Sequence, residues 1–126
     1  MRVFRTVVVL DAADLDAVSS FWAQLLDGTV EAEEGWHNVV VDGEWRLGIQ
    51  HAPDHVPPVW PGGPQQQQVH LDLWVDDLAV AHERALALGA RLLQAAEDLD
   101  TRDEVFQVYA DPAGHPFCLC RGPLGD

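Results

Sequence analysis

His70 and Asp72 stand one residue apart in the run VHLDLWV, residues 69–75. In an extended strand alternate side chains point the same way, so imidazole and carboxylate share a face. Such a pair can work as a base held in place by a carboxylate. It can equally be a hydrogen-bonded pair, or two residues that fill space. Trp74 continues that face, while Leu71, Leu73 and Val75 fall on the other. Cys118 and Cys120 repeat the spacing in PFCLCR, with Phe117 and Leu119 opposite them. In EWRLGIQ, residues 44–50, Arg46, Gly48 and Gln50 alternate with Trp45, Leu47 and Ile49. Three segments thus sort polar or reactive groups from apolar ones. One imidazole, a carboxylate, an amide, a guanidinium, an indole and two thiols suit a small-molecule pocket. Catalytic work falls to His70 and Asp72, and ligand contacts to Gln50, Arg46, Trp74, Cys118 and Cys120.

His115 lies in the turn Gly114-His115-Pro116. It reads either as a pocket-rim residue contacting ligand or as a turn residue ahead of a strand. His51 and His55 have helical spacing, but Pro53 between them argues against a helix. His37 and His82 read as ordinary strand and helix residues. Trp22 fits a helix core, whereas Trp36 and Trp60 lie near turns, with pocket rim, linker packing and dimer contact all open. The acidic stretch 97–104 lacks the glycine and oxygen spacing of a calcium loop. No Gly-rich phosphate loop, nucleophile elbow or zinc Cys/His framework is present.

The elements that must position these residues repeat. TVVVLDAADLDAVSSFWAQLLDG, residues 6–28, and VHLDLWVDDLAVAHERALALG, residues 69–89, share one order: apolar run, Asp-Leu, helical pattern, Gly. Asp14-Leu15 and Asp77-Leu78 lie half a chain length apart. A half-length repeat means two equivalent units that bury little apolar surface unless they pair, and a groove between paired units is a natural ligand site. The first half reads as a strand over 3–10, an Asp14-capped helix stopped by Gly28, a strand over 29–34, and a hairpin of 37–41 and 44–50 about Asp42-Gly43. The Pro- and Gln-rich stretch 51–68 reads as a stiff linker. The second half has strands at 69–75, 91–95, 105–110 and 116–121. Its helix is capped by Asp76 or Asp77 and ended by Gly89, and the last two strands are joined by Asp111-Pro112-Ala113-Gly114. Each half is strand, helix, three strands, which makes the chain α+β with module one at 1–50, linker 51–68 and module two at 69–126.

At 126 residues one domain is expected, with about two-thirds of the unfolded surface buried. The net charge of −14, from 7 Lys+Arg against 21 Asp+Glu, argues against nucleic-acid and anionic-membrane partners. It permits a cationic ligand, although solubility alone accounts for it. Cys118 and Cys120 would have Cα atoms about 6.6 Å apart by strand rise. A bridge across one strand residue is strained, so both read as free thiols of a reducing compartment. With no cleavage-site pattern and no membrane-length apolar run, a cytoplasmic protein is expected.

The doubled βαβββ pattern resembles the vicinal oxygen chelate superfamily, which includes glyoxalase I, extradiol dioxygenases, and bleomycin- and fosfomycin-resistance proteins. HLDLWVDDLAVAHERALALGA resembles its strand–helix opening with a leading His, and YADPAGHPFCL its closing turn and strand. LDAADLDAVSSFWAQLLDG matches more loosely. The resemblance implies two modules forming a cupped mixed sheet with helices on the convex side, a small organic ligand in the cup, and a homodimer. It also implies metal ligands on the first and last strands of each half. These map onto His70 and Gln50. The closing position that usually bears Glu holds Cys118, and the remaining position falls at Val7 or Thr6. The standard metal site is therefore degenerate. This leads to the expectation of a metal-independent binding protein or acid–base enzyme in which no cofactor is needed. Two alternatives stand beside it. One is a lyase, isomerase or dioxygenase using a divalent Fe, Mn, Ni or Zn ion on His70 and Gln50, with Cys118 a further ligand for zinc. The other is a resistance protein that sequesters a cationic antibiotic.

Overall fold

Asp14 and Asp77 open the two helices in the same way. Each has extended backbone and accepts a hydrogen bond from the amide three residues on, Ala17 and Val80 respectively. The computed structural model describes residues 1–59, 63 and 68–122, so Trp60 and most of the Pro- and Gln-rich stretch lie outside the described residues. Element order is β1 Val8–Ala12, α1 Leu15–Leu25, β2 Thr29–Glu33, β3 Trp36–Val41, β4 Glu44–His51, then β5 Leu71–Trp74, α2 Leu78–Ala87, β6 Arg91–Gln94, β7 Val105–Ala110 and β8 Pro116–Arg121. The chain is α+β, with two βαβββ modules and two four-stranded mixed sheets ordered β1-β4-β3-β2 and β5-β8-β7-β6. Two compact units, Met1–Val56 and Pro57–Asp126, divide within the Pro-rich stretch.

In each sheet the first strand pairs in parallel with the fourth, and the last three form an antiparallel meander. α1 packs on β2, β3 and β4, and α2 on β6 and β8. The first core gathers Val18, Phe21 and Trp22 of α1 with Val39 and Ile49 of the sheet. Phe21 and Trp22 meet edge to face at 5.3 Å. Buried His37 of β3 bonds Ser19 of α1 at 2.8 Å, which satisfies both polar groups. The second core places Tyr109, Phe117 and Leu119 beneath α2, with Tyr109 stacked on Phe117 at 5.4 Å. His82 of α2 bonds the Tyr109 hydroxyl at 2.7 Å, and Gln107 donates to the same oxygen at 2.8 Å.

Several boundaries depart from the sequence expectation, three of them with a clear physical reason. The first strand starts at Val8 rather than Val3. It exists only where β4 offers a partner, beginning at Val8↔Leu47, and Val3 and Phe4 remain exposed. β5 starts at Leu71, so His70 sits one residue ahead of the strand. The helix α1 ends before Gly28. The residue with left-handed backbone there is Asp27, at φ 56°. Gly28 is required for another reason: a Cβ there would collide with the Val40 carbonyl. In the second half Gly89 itself takes positive φ, 111°, after α2.

A register shift between Val39 and Val40 changes the facing of β4. Leu47 pairs with Val39 but Trp45 pairs with Val40, leaving Arg46 as the extra residue of a bulge. Simple alternation puts Trp45 in the core. The bulge instead brings it to the face of Trp36, and the two indoles meet edge to face at 6.4 Å.

Candidate functional site

In the second unit, β5 and β8 lie side by side with Asp72 opposite Cys118 and Trp74 opposite Cys120. Paired residues share a face, so these four side chains emerge together on the side away from α2. The same register adds Phe106 and Val108 of β7. Val108, Cys118 and Cys120 form a buried patch with Leu93 packed against it, while Trp74 and Phe106 are about half exposed. His70, just ahead of β5, turns its Nε2 to Asp72 Oδ1 at 3.1 Å. Both side chains are partly open to solvent, at 37% and 39%.

The thiols are held protonated. Burial pushes Cys118 up, and the Asp72 carboxylate adds to this by its charge and by a hydrogen bond, so that its pKa reaches about 12. Burial and then Asp72 push Cys120 up to about 11. Both cysteines are free, as their spacing requires. A neutral buried thiol is a weak nucleophile, so nucleophilic chemistry does not suit this face in its metal-free form.

Among the described residues, one group could hold a metal ion: donor atoms of His70, Asp72 and Cys118 lie within 4.8 Å of one another. A mixed N/O/S set suits zinc or ferrous iron better than magnesium or calcium. A cation between them would reverse the electrostatics that keep Cys118 protonated. The residues therefore fit a divalent ion, at the expense of one proton. Asp72 joins this set through the strand register, beyond the His70 and Gln50 that the resemblance implies as ligands.

The other residues singled out from sequence lie on other elements. Gln50 is exposed on β4 of the first unit, opposite Asp11 and Trp36. Arg46, at the bulge, pairs with Glu44 at 3.3 Å, both exposed. His115 closes the β7–β8 turn: its Nδ1 meets Asp111 Oδ2 at 2.7 Å, and Asp111 Oδ1 accepts from the amides of Ala113 and His115. Asp111 is 1% exposed, so this is an internal clamp on the turn. One functional candidate, Phe106, went unremarked in the sequence, and Trp36 was left open among pocket rim, linker packing and dimer contact. Phe106 shares the face of Asp72 and Trp74. Trp36 lies across Gly48 in the first unit. A glycine inside an apolar strand pattern was the available signal for the second, since it marks close approach by another group.

The chain matches the Glyoxalase-like domain family over residues 7–120. No curated protein matches it. Among solved structures it is similar to the fosfomycin resistance protein FosX of Mesorhizobium loti, at 16% identity and TM-score 0.72, covering 99% of this chain and 97% of that one. A mutant FosX of Listeria monocytogenes, complexed with Mn(II) and 1S,2S-dihydroxypropylphosphonic acid, aligns at 16% identity and TM-score 0.71, covering 98% and 94%. The bleomycin resistance determinant of transposon Tn5 aligns at 18% identity and TM-score 0.64, covering 97% and 100%. At such identities the solved structures speak for the fold. No helix among the described residues is long and apolar enough to cross a membrane. With the doubled βαβββ fold and the family match over most of its length, the chain belongs to the glyoxalase-like domain family of the vicinal oxygen chelate superfamily.

Proposed function

We propose that this protein binds a small organic molecule against the second-unit face that carries His70, Asp72 and Cys118. In this reading His70 is the polar anchor and proton-transfer group. The observation that carries it is the 3.1 Å contact of His70 Nε2 with Asp72 Oδ1 on a partly open face. A carboxylate at Nε2 favours the tautomer protonated there and makes Nδ1 the basic nitrogen. Trp74 and Phe106 supply apolar contact, and neutral Cys118 and Cys120 supply soft surface without competing negative charge. Gln50 of the first unit is carried as a further contact on the superfamily resemblance, together with a homodimeric assembly.

The test is thermal shift and calorimetry with 1S,2S-dihydroxypropylphosphonic acid, bleomycin and neutral carbonyl compounds, on wild type and His70→Asn. At least one probe should raise the melting temperature, and the variant should lose that rise. A flat response to every probe, or a rise that survives His70→Asn, sinks the reading. A response to bleomycin alone would point to sequestration.

A second reading is favoured by the His70–Asp72–Cys118 group and by the Mn(II) in the FosX complex. Here those three residues hold a divalent ion that polarises a substrate oxygen. Elemental analysis of protein purified without added metal decides it. Near-stoichiometric metal that disappears in His70→Ala supports the metal centre, and metal-free protein that takes up no added zinc or manganese removes it. Loss of metal in Gln50→Ala would add that amide to the ligand set.

A further inference from the structure

We propose that His82 of α2 and Tyr109 of β7 form an acid-sensitive latch, which holds the second helix on its sheet while the imidazole is neutral. The direction of each hydrogen bond in the latch follows from one backbone amide. Ala96 N–H can only donate, and it meets the Gln107 side chain at 3.1 Å, so the atom it meets is Oε1 and the other end of that side chain is the Nε2 donor. Nε2 donates to the Tyr109 hydroxyl at 2.8 Å. The hydroxyl's own proton then goes to its other neighbour, His82 Nδ1, at 2.7 Å. Nδ1 must therefore be the bare nitrogen, and the ring carries its proton on Nε2.

Protonation of His82 breaks this order. An imidazolium carries a proton on Nδ1 and can only donate. The Tyr109 oxygen would then face two donors, and its own proton would lose its acceptor inside a site where Tyr109 is 0% exposed. Burial holds the phenol protonated, against the smaller opposing pull of the Gln107 hydrogen bond. α2 is also the less buried of the two helices. Leu78 and Ala85 are its buried residues, against five of α1 that include Phe21 and Trp22. His82 lies one turn from each of Leu78 and Ala85, so the latch stands on the same narrow seam.

From β7 the titratable group that faces the ring is Tyr109 itself. β8 presents Phe117 and Leu119 beneath α2, and register puts Leu92 of β6 on the Tyr109 face with Arg91 on the opposite one. On α2 the residues one turn away are Leu78, Ala79, Ala85 and Leu86, while Glu83 and Arg84 flank His82 in sequence and are exposed. The first unit is built differently. His37 Nδ1 meets the Ser19 hydroxyl at 2.8 Å, which can turn to accept as well as donate, and Asp16 stands 3.9 Å from His37 Nε2 to partner a charge there. The latch excludes a proton that an unfolded imidazole takes up below about pH 6.5, so the hold on α2 weakens as pH falls through that range. His70, Asp72 and Cys118 take no part in it, so it holds or fails separately from the role proposed for them.

Two NMR measurements on the full chain test the latch. Long-range proton–nitrogen correlation at pH 7.5 should show His82 protonated at Nε2 and bare at Nδ1. Amide hydrogen exchange, corrected for its intrinsic pH dependence, should show protection of residues 81–87 falling about five-fold or more between pH 7.5 and pH 5.0. Residues 18–25 of α1 should change by less than about two-fold over the same range. Tyr109→Phe and His82→Asn should each remove the difference between the helices. The first leaves no hydroxyl proton to strand, and the second offers an amide oxygen that accepts at every pH. A proton on Nδ1 at pH 7.5 overturns the proposal, as does an equal loss of protection in both helices. An α2-specific acid response that survives in either variant overturns it too. The wild-type tautomer and exchange decide the matter by themselves where a variant does not fold.

Discussion

At the scale of the residue, the second-unit face depends on Asp72. Its carboxylate meets His70 and helps push Cys118 up to about 12. Asp72→Asn should lower the Cys118 pKa, because it removes the neighbouring charge while burial remains. Iodoacetamide labelling of Cys118 at pH 8, read by mass spectrometry, should then run several-fold faster than in wild type. An unchanged rate would mean burial alone controls the thiol. Gly48→Ala should displace the Trp36 ring and cost about 1–3 kcal/mol, the usual range for overpacking, with a change in tryptophan emission. The sharing of a face by Asp72, Trp74, Cys118 and Cys120 was legible in the sequence because strand alternation holds without interruption there. The facing of Trp45 and Arg46 was not. A bulge of one residue reverses alternation and leaves no mark in residue types.

At the scale of the element, helix starts were readable and helix ends less so. Asp14 caps α1 as its place ahead of an apolar period indicates, and of the two candidates Asp76 and Asp77 the structure selects Asp77 for α2. Asp14→Ala and Asp77→Ala should each cost about 1 kcal/mol in urea unfolding, and a loss confined to one would mean the halves differ in helix stability. The end of α1 was misplaced by the assumption that glycine supplies positive φ. Asp27 supplies it, and Gly28 is small because Val40 is close. His115 shows the same difficulty at a turn. Its residue type suggests chemistry, and only the fold shows that buried Asp111 takes its Nδ1 and two amides. Asp111→Ala should therefore destabilise by about 3 kcal/mol in urea unfolding. Unaltered stability would contradict the clamp.

At the scale of the whole molecule, charge and pH set the limits. Both thiols have pKa values raised by folding, to about 12 and about 11 against an ordinary 9.0. A protonated native state binds protons more tightly than the unfolded chain at alkaline pH. That contribution to stability is complete below about pH 9 and is lost as pH climbs toward the native values. Urea midpoints should fall between pH 9 and pH 11, and Cys118→Ala should flatten the decline. A wild-type slope retained in that variant would assign it to other groups. The doubled architecture was legible from the half-length repeat, because each strand–helix–strand unit needs the same ordering of apolar and capping residues. In both sheets the meander joins sequence neighbours, whereas β1–β4 and β5–β8 close loops that span most of a unit. Closing the longer loops costs more chain entropy and pays off late, so the hairpins should nucleate and the opening strands should dock afterwards. Asp72 meets Cys118, and Asp11 meets Gln50, across those final seams. Under the proposed role of the second-unit face, the His70–Asp72–Cys118 group is completed only when β5 seats on β8, so a copy whose opening strand is still detached should take up neither zinc nor ligand there.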